Sequence, residues 1–247
     1  MRIVLTSDLH YGFSGKTHNK IHKTFKKINQ LKPDLLIIAG DIPANCQHQF
    51  KRCLEEANDI VKCDIAFVRG NHCLWDALHK KDDRSTLRSL NEIYQHHQQI
   101  ALRLGLHILT SKPLKYGDIE IFGFDGWYAQ VPQTNDAANM PFDHEGCPIM
   151  PFLINKAWKD FDKCLESAKK SQAKTKILVT HHNLYEEPKY PGSKHGGILR
   201  FYPEVKENFD ILCCGHTHVY QNYKDDNLLV LNAGSDYDNP KYIVLEV

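Results

Sequence analysis

Short, nearly unbroken apolar runs alternate along the chain with longer stretches whose apolar residues recur at helical spacing. RIVLTSD, from Arg2, reads as a strand. After it, Ile21, Phe25, Ile28 and Leu31 share one helical face. LLIIA, bounded by Pro33 and Gly40, is a second strand run. Phe50, Leu54, Ala57 and Val61 then mark a helix between Cys46 and Val61. DIAFVRGN is the third strand, and residues 84–104 read as another helix. This βαβαβα order predicts a largely parallel sheet covered by helices.

The second half opens with short strands in LHILTSKPLKYGDIEIFGFDG, turning at Lys112-Pro113 and Gly117-Asp118. Residues 153–170 read as a helix. KILVTHH, FDILCCGH, NLLVLNAGS and KYIVLEV are further strands. Two stretches, near 126–152 and 183–203, show no period and read as long loops; structureless loops of that length are usually functional or mobile. With no repeat, low-complexity tract or linker, the expectation is one domain over residues 1–247 carrying two long insertions.

A length of 247 residues suits one large domain. The net charge of +1 removes any global pull toward nucleic acid or an anionic membrane, leaving only the option of a local basic groove. No apolar run reaches the length of a membrane span. The N-terminal run is too short for a signal-peptide core, so a cytoplasmic location is expected. The eight cysteines are scattered without a C-x-x-C pair, which points to reduced thiols and away from a four-cysteine zinc site. Cys213 and Cys214 fall inside a strand run and are expected to be buried.

Five strand-like runs end on residues able to hold a metal: Asp8, Asp41, Asn71, His181 and His216. His10, His72 and His218 follow within two residues of three of them. Asp, Asn and Gly are common turn formers, so one such end means little. Five together, at the carboxyl ends of strands where α/β sheets gather their ligands, point to a site. His216 and His218 cannot easily grip one ion from a regular strand, because alternate residues face opposite ways; from a loop they can serve two neighbouring ions. Two carboxylates, four imidazoles and one amide can supply two sites with one carboxylate bridging. That mixture suits Mn, Fe or Zn better than Ca or an all-oxygen Mg cage. Two dications with two aspartates leave a charge of about +2, a site for an anionic substrate such as a phosphoester. Metals roughly 3.5–4 Å apart can share a water and clamp both oxygens of an in-line displacement.

The order D-L-H, G-D, G-N-H, H-H-N and G-H-T-H, from residue 6 to 218 and followed by LNAGS at 231–235, resembles the calcineurin-like metallophosphoesterase superfamily. The resemblance implies an α/β fold, a two-sheet β-sandwich flanked by helices in four αββα layers. It implies a dinuclear metal-dependent phosphoester hydrolase in which a metal-bound hydroxide attacks phosphorus, with a small phosphodiester or phosphomonoester as substrate. Carried over by motif, Asp8, His10 and His218 hold one metal, Asn71, His181 and His216 hold the other, and Asp41 bridges them. His72 contacts the phosphate and assists the leaving group. Some members have eroded metal sites and act as non-catalytic scaffolds, which is the alternative reading; a protein with one structural zinc is a third. The family usually carries Asp or Glu after G-N-H, where this chain has Cys73, and the change is expected to be neutral. His182 is open to three readings: a group behind the metal ligands, a substrate-side group, or a loop histidine.

Other candidates carry less. Asp125 ends a strand run and reads as a turn residue. Trp127, Tyr128, Tyr185, Tyr190, Phe201 and Tyr202 offer a lid or a base-stacking wall, with ordinary loop packing equally open. His195 and Arg200 offer phosphate contacts. His96 and His97 lie in a polar helical stretch and are expected to face solvent, as is the basic segment 18–27.

Overall fold

In a computed structural model, which describes residues 1–75, 83–110, 112–127, 149–184 and 202–247, the apolar runs become the strands of two sheets. In chain order the elements are β1 (Arg2–Thr6), α1 (Thr17–Gln30), β2 (Leu35–Ala39), α2 (Gln47–Ile60), β3 (Asp64–Val68), a 3-10 turn (Asn71–Leu74), α3 (Asp83–Leu104), β4 (His107–Ile108), β5 (Leu114–Tyr116) and β6 (Ile119–Gly123). Then follow α4 (Ile149–Lys170), β7 (Thr175–Val179), α5 (Tyr202–Asn208), β8 (Ile211–Cys214), β9 (Gln221–Asp225), β10 (Leu228–Asn232) and β11 (Ile243–Glu246).

The first sheet has the order β11-β1-β2-β3-β4 and the second β5-β6-β7-β8-β10-β9. β1 to β4 run parallel, with β11 antiparallel at one edge. β6, β7, β8 and β10 also run parallel, between antiparallel edge strands β5 and β9.

The layers follow from which face each strand residue takes. Ile3, Leu5, Leu35 and Ile37 pack into the cluster that also holds Ile177, Val179, Cys213 and Leu231, so the two sheets face each other. Their strand neighbours Val4, Leu36 and Ile38 pack instead with Ile21, Phe25, Phe50 and Leu54 of α1 and α2. On the far side Phe122, Leu178 and Leu212 pack with Phe161, Ala168 and Val205 of α4 and α5. The result is the expected αββα order. It also explains the unbroken apolar runs: a central strand covered on both faces has no polar side to show. All five residues of β2 are buried, and each large aliphatic side chain among them contributes about 1.5–3 kcal/mol.

Two elements escape the sequence reading. β9, QNYKD, is polar because it is an edge strand with only Gln221 buried. α5 begins in the stretch read as loop, where Val205 is its one buried residue. In addition, α4 starts at Ile149, ahead of the expected 153. Cys213 and Cys214 are buried, and the seven described cysteines are free thiols. The long stretches expected as insertions lie for the most part outside the described residues, as do Tyr128, Tyr185, Tyr190, His195, Arg200 and Phe201. Among the described residues, no helix is long and apolar enough to cross a membrane.

Candidate metal centre

The ends of β1, β2 and β3 in one sheet and of β7 and β8 in the other converge on the seam between the sheets. Backbone bonds lace the loops together. Asp8 N–H donates to the Gly40 carbonyl (3.1 Å), His10 N–H to Asp41 (3.0 Å), and Gly215 N–H to His181 (3.0 Å). Five residues here hold left-handed backbone, Asp8 (φ 50°), His10 (44°), Asp41 (45°), His216 (68°) and His218 (56°). Each such non-glycine residue costs free energy and persists only where its surroundings fix it.

All eight residues singled out from the motifs come together there. Asp41 Oδ2 lies 3.3 Å from His181 Nε2, 3.8 Å from His10 Nε2 and 3.9 Å from His72 Nε2. His218 Nε2 lies 3.4 Å from Asp8 Oδ1 and 3.2 Å from His10 Nε2. Asn71 Oδ1 is 3.1 Å from His181 Nε2. The His216 backbone N–H donates to Asp8 Oδ1 (2.9 Å), and its ring sits 5.2 Å from that of His181. Among the described residues, three overlapping sets have ligand atoms close enough to hold a metal: Asp8, His10 and His218; His10, Asp41 and His72; Asp41, His181 and His216.

The residues fit divalent cations. Asp8 Oδ2 and His10 Nδ1 are buried without a hydrogen-bond partner, and an orphaned carboxylate oxygen is costly unless a cation satisfies it. The ring tautomers are set for the same purpose. His181 Nδ1 donates to the Ala39 carbonyl (2.9 Å) and His72 Nδ1 to that of Ala44, leaving each Nε2 turned into the site.

The titration of the cluster reflects two buried carboxylates facing several histidines. Burial would raise Asp8 and Asp41, yet His218 lowers the first and His181 and His72 lower the second. Burial would likewise push His181 and His218 down, but Asp41 and Asp8 respectively hold each up to about 9. Burial dominates at His10, which falls to about 3, and at His216, which falls well below the usual range with help from His182 and His181.

Several neighbours carry no motif signal. Asp236, just past LNAGS, lies 3.2 Å from His218 Nδ1 and orients that ring. Tyr237 stacks on His10 with centroids 4.3 Å apart, and Trp75 stacks on His72 at 3.5 Å. His182, in the bend after β7, is fully buried, with its ring 4.2 Å from His216 and 5.6 Å from Trp127.

Two expectations need correcting. His97 does not face solvent: it is buried on Phe50 (3.7 Å between rings), while His96 is exposed. Arg69 Nε donates to His97 Nδ1 (3.2 Å), His97 Nε2 to Gln47 Oε1 (2.5 Å), and Gln47 Nε2 to the Cys73 carbonyl (3.0 Å). Asp125 is more than a turn residue. It accepts both the Arg69 backbone N–H (2.8 Å) and its guanidinium (2.9 Å) in a buried pair. This network buttresses the turn carrying Asn71 and His72. Cys73 within it stays a neutral thiol, pushed by burial to about 12, and accepts the Gly70 N–H. Within the basic segment, His18 and His22 both pair with Glu56 of α2.

Residues 1–220 match the family model for calcineurin-like phosphoesterases. The chain therefore belongs to that family and is by class a metal-dependent phosphoesterase. Among solved structures, a phosphopantetheinyl hydrolase from Mycobacterium tuberculosis has a TM-score of 0.62 at 14% identity, covering 98% of this chain and 95% of that one. The anchor of the inner membrane complex of Plasmodium follows at 0.56 and 14%, covering 99% and 80%. A dimetal phosphatase from Danio rerio gives 0.53 and 11%, covering 94% and 86%. At these identities the likeness is one of fold. No curated protein matches the chain in sequence.

Proposed function

We propose that this chain is a dinuclear hydrolase of small phosphodiesters or phosphomonoesters. The observation that carries the reading is Asp41, whose carboxylate belongs both to the set with His181 and His216 and to a set with His10. That is the place of a bridge. Asp8, His10 and His218 then serve one cation, and Asn71, His181 and His216 the other. Bound there, Mn, Fe or Zn ions would supply Lewis-acid charge and an activated water. His72 keeps its Nδ1 proton on the Ala44 carbonyl and turns Nε2 into the site, where in its charged form it can donate to the leaving oxygen. Trp75, stacked on that ring, holds its plane.

The scaffold reading draws on the same fold, which a Plasmodium anchor protein shares. The complete ligand set favours an enzyme. The test is metal-stripped protein resupplied with Mn2+, with metal content and turnover of bis(4-nitrophenyl) phosphate and 4-nitrophenyl phosphate measured together. Two bound metals with metal-dependent turnover support the hydrolase. A protein unable to hold metal supports the scaffold. Asp41→Asn should lose both metals and turnover, and near-normal activity in that variant would refute the bridge.

A further inference from the structure

Both histidines of one cation set, His10 and His218, lean on a single turn after β10. Paired backbone bonds between Asp236 and Asn239 (3.3 and 2.5 Å) close that turn. Asp238 Oδ1 accepts the hydroxyls of Ser14 (2.8 Å) and Thr17 (2.6 Å), which straps the turn to the segment following His10. Asp236 Oδ1 accepts the Tyr237 backbone N–H (2.9 Å), which aims the carboxylate, and lies 3.2 Å from His218 Nδ1. The other nitrogen of that ring, Nε2, faces Asp8 Oδ1 at 3.4 Å. Asp236 therefore stands behind the ring and not among the ligands. It accepts the Nδ1 proton and leaves the Nε2 lone pair for a cation. Tyr237 stacks on His10 at 4.3 Å and 28°. In the other set the matching partner of His181 Nδ1 is a main-chain group, the Ala39 carbonyl (2.9 Å).

We infer that Asp236 is a positioning residue that sets the affinity of one of the two cation sites, that of Asp8, His10 and His218, and leaves the other as it is. This role rests on the proposed two-cation reading. Without the carboxylate, the His218 ring is free to turn, and its proton can move to Nε2, where it blocks the lone pair. Partners of this kind are worth about 10–100-fold in metal affinity. The Asp236 side chain is 62% exposed, so water takes over part of its task and the lower end, about tenfold, applies. Asn71, His181 and His216 keep their cation, because a substitution at position 236 leaves the Ala39 carbonyl behind His181 in place.

The test is titration of metal-stripped wild type, Asp236→Ala and Asp236→Asn with Mn2+, the free ion being read by electron paramagnetic resonance. Wild type should bind two equivalents. In Asp236→Ala one equivalent should weaken about tenfold while the other keeps its wild-type affinity. Asparagine retains an oxygen able to accept the Nδ1 proton, so Asp236→Asn should recover part of the loss. Two unchanged equivalents in Asp236→Ala, or two weakened alike, overturn the role of Asp236 and leave the two-cation centre standing. A metal-free melt that falls in Asp236→Ala together with the affinity assigns the residue to holding the turn, and overturns the role as well. A folded wild type that binds fewer than two equivalents overturns both readings.

Discussion

Gly70→Ala is predicted to disable the centre without removing a ligand. The backbone at Gly70 is extended (φ −109°, ψ −179°), so alanine can adopt it and no strain arises there. The obstacle is steric. A Cβ would stand 2.5 Å from the Asp41 backbone nitrogen and 2.8 Å from its Cγ, and closer still to Oδ1, where ordinary contact begins at 3.4 Å. Asp41 or the 70–74 turn must retreat by roughly an ångström, a misplacement worth about 100-fold in rate when it reaches reacting groups. The overpacking itself should cost about 1–3 kcal/mol of stability. The same Oδ1 accepts the His72 N–H (2.9 Å), so both halves of the site move together. Metal content by plasma mass spectrometry, turnover and a thermal melt would be measured beside Gly15→Ala, where an added Cβ meets nothing within 4 Å. Two metals and turnover within a few-fold of wild type in Gly70→Ala would refute the argument.

Other outcomes follow from the same geometry. His72→Ala should retain both metals while its rate falls about 10²–10⁴-fold, the usual worth of a general acid; loss of metal would make His72 a ligand instead. At pH 7 the metal-free protein carries protons on His181 and His218, both held up to about 9, whereas Asp8, Asp41, His10 and His216 are already deprotonated. Metal uptake should therefore release up to two protons, and affinity should climb as pH rises toward 9; calorimetry in buffers of different ionisation enthalpy counts them, and zero release contradicts the assignment. Asp125→Ala strands the buried Arg69 guanidinium and should cost about 3–5 kcal/mol in urea unfolding, and a loss under 1 kcal/mol would show the pair to be dispensable.

The strands and the candidate ligands were legible because Asp8, Asp41, Asn71, His181 and His216 each end an apolar run and His10 and His218 follow two residues later, and runs of that kind need no tertiary information to see. The layering was less so. Continuous runs such as LLIIA say that both faces are covered, but not that one cover is a second sheet; that came from the family resemblance. β9 was missed because an edge strand open to water may be polar without penalty. His97 misled because its neighbours in sequence are polar, while its partners, Arg69 and Gln47, lie far off in the chain. Asp236 and Tyr237 sit in SDYDNP, whose composition reads as turn, and only the folded chain sets them against His218 and His10.

The five left-handed residues have a consequence for how long the protein lasts. Each left-handed residue costs about 1–2 kcal/mol, and the cost remains whether or not cations are bound. Cations that bind only the folded chain offset it by mass action. The starved chain opens more often, and proteases act on the opened form. Cellular abundance would then track the supply of divalent metal, and the protein would be cleared when its ions are scarce rather than left to accumulate as an inert shell.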